Sequence, residues 1–139
     1  MKKIIPILLF IIAFGQQAFS QCNAEDLGNA CISRLAPGFN FVKAYKINGE
    51  GDLVKMEYSY AFAKGTQYML TLCEQKENSS TIVITIFDSK RNKIASNKID
   101  GKMVSAIAFP CNATGIYYIQ YAFEGSSSRC AGSVLGFKR

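Results

Sequence analysis

Five cysteines, ten acidic side chains and no histidine set the chemistry open to this sequence. Without histidine, neither the Ser-His-Asp nor the Cys-His arrangement of nucleophilic catalysis can be assembled. No Ser-x-x-Lys nucleophile motif is present either. A cysteine nucleophile needs an activating base, and Cys73, Cys111 and Cys130 read better as disulfide partners. A glycosidase-like carboxylate pair stays open on counting alone. Yet Glu25, Glu57, Glu74, Asp88, Asp100 and Glu124 fall in turns, on outward faces or at the ends of elements. The expectation is therefore no enzyme and no catalytic residue.

Metal chemistry has equally little to work with. There is no Cys-x-x-Cys pair to join the missing histidines, so a zinc site is not expected. The loop Asn48-Gly-Glu50-Gly-Asp52 does place side-chain oxygens at alternate positions, as calcium loops do. The twelfth position of such a loop would be Ser59, which cannot supply the bidentate carboxylate. A glycine-rich turn is the preferred reading, with Asn48, Glu50 and Asp52 as calcium candidates by spacing alone. No cofactor is expected.

The N-terminus fixes the compartment. Lys2 and Lys3 precede a nearly unbroken apolar run from Ile4 to Phe14, and Ala18-Phe19-Ser20 offers small residues at a cleavage site. This is the pattern of a secretory signal peptide cut near Ser20–Gln21. The run is too short for a membrane span, which needs about 20 residues. Gln21, directly before Cys22, argues against lipoprotein processing. Residues 1–20 are thus read as the signal and 21–139 as one domain, secreted, periplasmic or on the cell surface, with no integral membrane segment after cleavage. At roughly 120 residues it sits near the commonest domain size. The 16 basic residues against 10 acidic ones are scattered, which favours solubility rather than nucleic-acid binding.

Cysteines in an exported chain of this size point to disulfides. Cys111 ends one predicted strand and Cys130 precedes the last, so Cys111–Cys130 is the first pairing expected. Cys31–Cys73 would tie a helix to the sheet, and Cys22–Cys31 is the competing local bridge. Cys22, next to the new N-terminus, is the expected unpaired thiol.

These residues need a frame to hold them. Asn23 to Leu35 reads as one short helix, capped by Asn23, with Glu25 and Asp26 in the positive first turn. Leu27, Cys31 and Leu35 share one face, and Pro37-Gly38 ends the helix. From Phe41 onward the period becomes two. Strands are expected at 41–47, with Phe41, Tyr45 and Ile47 on one side, then at 54–63, 66–73, 81–88, 93–96, 103–109, 115–124 and 131–138. About eight antiparallel strands joined by short turns, after one helix, make an all-β sandwich stabilised by disulfides.

The run YSYAFAKGTQYMLTL, the hairpin ITIFDSKRNKIASN and the strand TGIYYIQY resemble bacterial pre-peptidase C-terminal domains over about residues 55–138. The resemblance implies a jelly-roll-like β-sandwich that accompanies extracellular enzymes and binds carbohydrate or protein. Two departures stand out: no catalytic partner lies in the chain, and Arg91 replaces the hairpin glycine.

The aromatic-rich stretch CNATGIYYIQYAFE splits on period two. Tyr117, Ile119, Tyr121 and Phe123 form a core set, while Tyr118 and Gln120 share the solvent face and are the candidate binding residues. The reading is a non-catalytic exported β-sandwich that binds an extracellular carbohydrate or protein partner. The alternative is a small structural or inhibitor-like envelope protein, dimerising through Cys22, and a third reading is a hydrolase of unknown type.

Overall fold

The computed structural model describes residues 22–49, 53–75, 81–124 and 129–139. The expected signal segment and the loop positions Glu50 and Asp52 lie outside the described residues.

One helix leads the chain: α1, Ala24–Ile32. Ten strands follow: β1 Asn40–Asn48, β2 Lys55–Phe62, β3 Gln67–Glu74, β4 Ile82–Phe87, β5 Lys93–Ser96, β6 Lys98–Ile99, β7 Lys102–Met103, β8 Ala106–Pro110, β9 Gly115–Phe123 and β10 Cys130–Lys138. Sheet A has the order β1-β10-β3-β8 and sheet B the order β2-β9-β4-β5. The pairings β1–β10, β2–β9, β3–β8 and β4–β5 are nested and all antiparallel. The chain is therefore one long hairpin folded over itself, with successive strand pairs falling in opposite sheets. Contacts β10–β3 and β9–β4 stitch the folded hairpin together. That is the jelly-roll arrangement of an all-β sandwich.

The core follows from the alternation. Ile82, Ile84 and Ile86 of β4 are fully buried, as are Ile119 and Tyr121 of β9, facing Ile47, Leu70 and Leu135 of sheet A. Each such aliphatic side chain contributes roughly 1.5–3 kcal/mol by leaving water. Aromatic rings fill one end of the sandwich, where Phe62 stacks on Tyr68 at 4.2 Å and meets Tyr117 at 5.0 Å.

Four expectations need correction. The helix ends at Ile32, not Leu35, because Arg34 and Leu35 donate to Cys31 and Ile32 in tighter i→i+3 turns. The strand expected at 103–109 is broken, and the count rises from about eight to ten because β6 and β7 form a separate ribbon. Asp100 and Gly101, both at positive φ, make its two-residue turn. Fully buried Asn97 anchors its base: its Oδ1 accepts from Ile84 N at 2.7 Å, while Nδ2 donates to the Ile82 and Val104 carbonyls. An amide side chain thus stands in for the strand neighbour that β4 loses where β5 leaves it. Third, Phe41 does not share the inner face with Tyr45 and Ile47. The β1 register shifts between Phe41 and Lys43, so Val42 packs on the core and Phe41 is 47% exposed.

The fourth correction concerns the cysteines. Cys31 bonds to Cys73, and Cys22 bonds to Cys130 instead of standing unpaired. Cys111 is the free, buried thiol, so there is no Cys111–Cys130 bridge. The geometry of β3 explains this. Cys111 lies beside the start of β3, exchanging backbone bonds with Gly65 and Thr66, whereas Cys130 lies beside its end, where Ala131 pairs with Glu74. The strand between them spans roughly 25 Å.

Candidate binding face

The two sheets present different outer faces. On sheet A, α1 packs across β10, β1 and β3. Its approach is so close that a Cβ on Gly132 would stand 2.1 Å from the Gly28 backbone nitrogen. Cys31, Cys73 and Val134 form a small second core beneath the helix, flanked by Leu35 and Ala44.

Among the described residues no helix packs over sheet B, and its register arranges the outward side chains in rows across the strands. One row reads Glu57, Gln120, Thr85, Ser96. The next reads Ser59, Tyr118, Phe87, Lys93. The first row is entirely hydrogen-bonding, and the second has two aromatic rings at its centre. Tyr118 and Gln120, the candidate binding residues, are thus adjacent and half-buried on one face.

Arg91 modifies this picture. It sits at φ 65°, the left-handed backbone that glycine adopts more readily. The turn that holds it there is built by Asp88, whose carboxylate accepts from the backbone nitrogens of Lys90 and Asn92 and from Asn92 Nδ2 at 2.8–3.0 Å. The hydrogen bonds from Asn92, with a smaller one from Lys90, hold the Asp88 carboxyl below its ordinary pKa. From this turn the Arg91 guanidinium lies 3.7 Å over the Tyr118 ring centroid, and its Nη1 donates to Glu57 Oε2 at 2.8 Å. That hydrogen bond pushes the arginine pKa upward. Tyr118 is therefore not a bare stacking platform. The exposed layer above it is a guanidinium whose Nη1 is the one nitrogen with a partner among the described residues, flanked by Glu57 and Gln120. Sequence reasoning missed this cluster. The available signal was a bulky cation at the hairpin position where the resembling family keeps glycine.

The remaining tyrosines belong to the core or its rim. Tyr121 donates to Ser133 Oγ at 2.8 Å, and burial raises its pKa. Tyr45 is pushed up to about 12, chiefly by burial, and its hydroxyl has no partner among the described residues. Tyr117 donates to the Ala113 carbonyl at 2.7 Å and is also pushed up to about 12 by burial, with the Cys111 thiol adding to the shift.

Of the calcium candidates, Asn48 ends β1 opposite Cys130. Among the described residues no three His, Cys, Asp or Glu side chains gather as a metal-holding group. No described helix is long and apolar enough to cross a membrane.

No family model matches the sequence, and no curated protein matches it. Among solved structures, a chain of the Glycosylation Associate Protein (Gap123) complex from Streptococcus agalactiae is similar at 15% identity and a TM-score of 0.39. The match covers 73% of this chain but only 39% of that one, and at this level it carries no argument about function.

Proposed function

We propose that this chain is an exported, non-catalytic binding module that holds an extracellular carbohydrate on the open outer face of sheet B. The observation that carries the reading is the pair of adjacent rows, one hydrogen-bonding and one with the Tyr118 and Phe87 rings at its centre, on a face over which no described helix packs and where the Arg91 guanidinium lies above Tyr118. A sugar presents the same two chemistries: hydroxyls around its rim and C–H groups on its faces. The face sets the Tyr118 and Phe87 rings beside a row of hydrogen-bonding groups, a mixture that suits a sugar better than the apolar patch of a protein partner. Two disulfides fit an oxidising compartment. The resemblance to pre-peptidase C-terminal domains, carried by β2 to β5 and β9, supports an accessory role beside extracellular enzymes. The alternative of an envelope protein dimerising through Cys22 loses its carrier, because Cys22 is bonded to Cys130.

The test is a glycan array with the wild type, followed by titration of Tyr118→Ala and Gln120→Ala against the best ligand. Each variant should weaken binding by about tenfold, the effect of one or two lost hydrogen bonds or ring contacts. A flat profile across the array, or undiminished binding by both variants, sinks the reading.

A further inference from the structure

A groove of about 290 Å³ opens at the edge of the sandwich between β1 and β2, away from the rows on sheet B. Phe41, Tyr60, Thr66, Tyr68, Phe137 and Arg139 line it. Its existence traces to the β1 bulge, which turns Phe41 out of the core and leaves Val42 in its place. Further along the same two edges the sheets are closed by Tyr58, whose hydroxyl donates to the Lys46 carbonyl at 2.6 Å. The Tyr68 hydroxyl is committed to Ala63 N at 3.0 Å. The Tyr60 hydroxyl has no hydrogen-bond partner among the described residues, and Arg139 lies 5.9 Å from the Phe137 ring centroid.

The size and charge of this groove select an occupant. Its volume lies at the bottom of the range of small-molecule sites, enough for one ring and too small for a helix. Rings of Phe41, Tyr60 and Phe137 give it apolar walls. Alternate residues of edge strand β2 also turn their backbone N–H and C=O groups away from β9, which adds acceptors as well as donors. Of the residues that line the groove, the one with a charged side chain is Arg139, a cation.

We infer that this groove is a second subsite, which takes a single carboxylate-bearing sugar ring of the bound glycan with its acidic group toward Arg139. The inference deepens the carbohydrate reading above and rests on it. The ring stacks between Phe41 and Phe137, and the Tyr60 hydroxyl and the guanidinium serve its oxygens. Opposite charges at the open rim make the interaction salt-dependent.

The test is an NMR titration of the intact exported chain with oligouronides and with the matching neutral oligosaccharides. Oligouronides should shift Phe41, Tyr60 and Phe137 resonances, and binding should weaken as salt is raised. Phe41→Ala and Arg139→Gln should each weaken uronide binding by about tenfold, the scale of one charge-assisted contact. Tyr60→Phe keeps the packing ring and should lower affinity without changing the melting temperature. Gln120→Ala should raise the oligouronide concentration needed by about tenfold while the same groove resonances still move at saturation. Equal binding of neutral sugars at the groove overturns the charge assignment. Glycan binding that Gln120→Ala abolishes and the groove variants spare overturns the groove while keeping the sheet-B face. Binding of no glycan at all removes both.

Discussion

The outer faces of the two sheets differ in what each residue is for. On sheet A, side chains are small or absent where α1 lies, and Gly132 meets Gly28 backbone to backbone. A disulfide, Cys31–Cys73, fixes the helix to β3. On sheet B, side chains of the same pleat position carry hydroxyls, amides, rings and charges, and a strained arginine is built into the neighbouring hairpin. One face spends its residues on covering itself, whereas the other leaves hydrogen-bonding groups in water. Structural cover and the proposed binding face thus lie on opposite sides of one core.

Substitutions can break or sharpen that contrast. The largest effect should come from the double change Cys31→Ala and Cys73→Ala. It opens a loop with a sequence separation of 42 and should cost about 4 kcal/mol in urea unfolding on the chain-entropy account. A loss below about 1 kcal/mol would mean that the helix holds sheet A without its staple. Next comes Gly132→Ala. The added methyl meets backbone that cannot rotate away, so α1 must lift, at roughly 3 kcal/mol. Unchanged stability, with unchanged amide exchange in α1, would contradict the covered-face reading.

On sheet B the effects should be small and informative. Arg91→Gly relieves the left-handed backbone while removing the Tyr118 and Glu57 contacts, so the two effects offset and the unfolding midpoint should stay near wild type. Arg91→Ala loses the contacts without the relief and should be measurably less stable. If both variants fall equally, the backbone is not strained at this position. The smallest effect concerns Asp88. Its folded-state pKa lies below the ordinary value of 3.8, so it stabilises the fold above the unfolded pKa. That contribution is lost as pH falls through the depressed folded value, a window opening below about pH 4. Urea midpoints measured from about pH 5 down to about pH 2 should therefore converge for wild type and Asp88→Asn. Parallel curves would show that the turn does not depend on the ionised carboxylate.

How far these features were legible in the sequence varies with the range of the interaction behind them. Alternation in Val54–Phe62, Ile82–Ile86 and Tyr117–Phe123 is local, and the strands and their inner faces follow from it. The placement of Tyr118 and Gln120 on the outer face follows from the same period. The β1 bulge is local as well, but it depends on pairing with β10, so strict alternation puts Phe41 on the wrong side. Asn97 gives no periodic signal, since a buried amide that imitates a strand neighbour looks in sequence like a loop residue. The disulfides required knowing which strand ends meet, and nesting of the hairpin puts Cys130 with Cys22 and leaves Cys111 at the far end of β3. The Arg91–Tyr118–Glu57 cluster joins three strands' worth of chain and could not be read from any one of them.

The Cys22–Cys130 bond has a mechanical consequence. A pull applied before residue 22 and after residue 138 crosses from Cys22 to Cys130 through sulfur and then runs along β10 alone. Everything between those cysteines, including α1 and the whole of sheet B with its candidate face, hangs outside the load path, whereas the groove keeps Phe137 on the loaded strand. The one loaded segment is an already extended strand, zipped between β1 and β3. Such a domain transmits tension with almost no lengthening, and a ligand held on sheet B would not feel the pull.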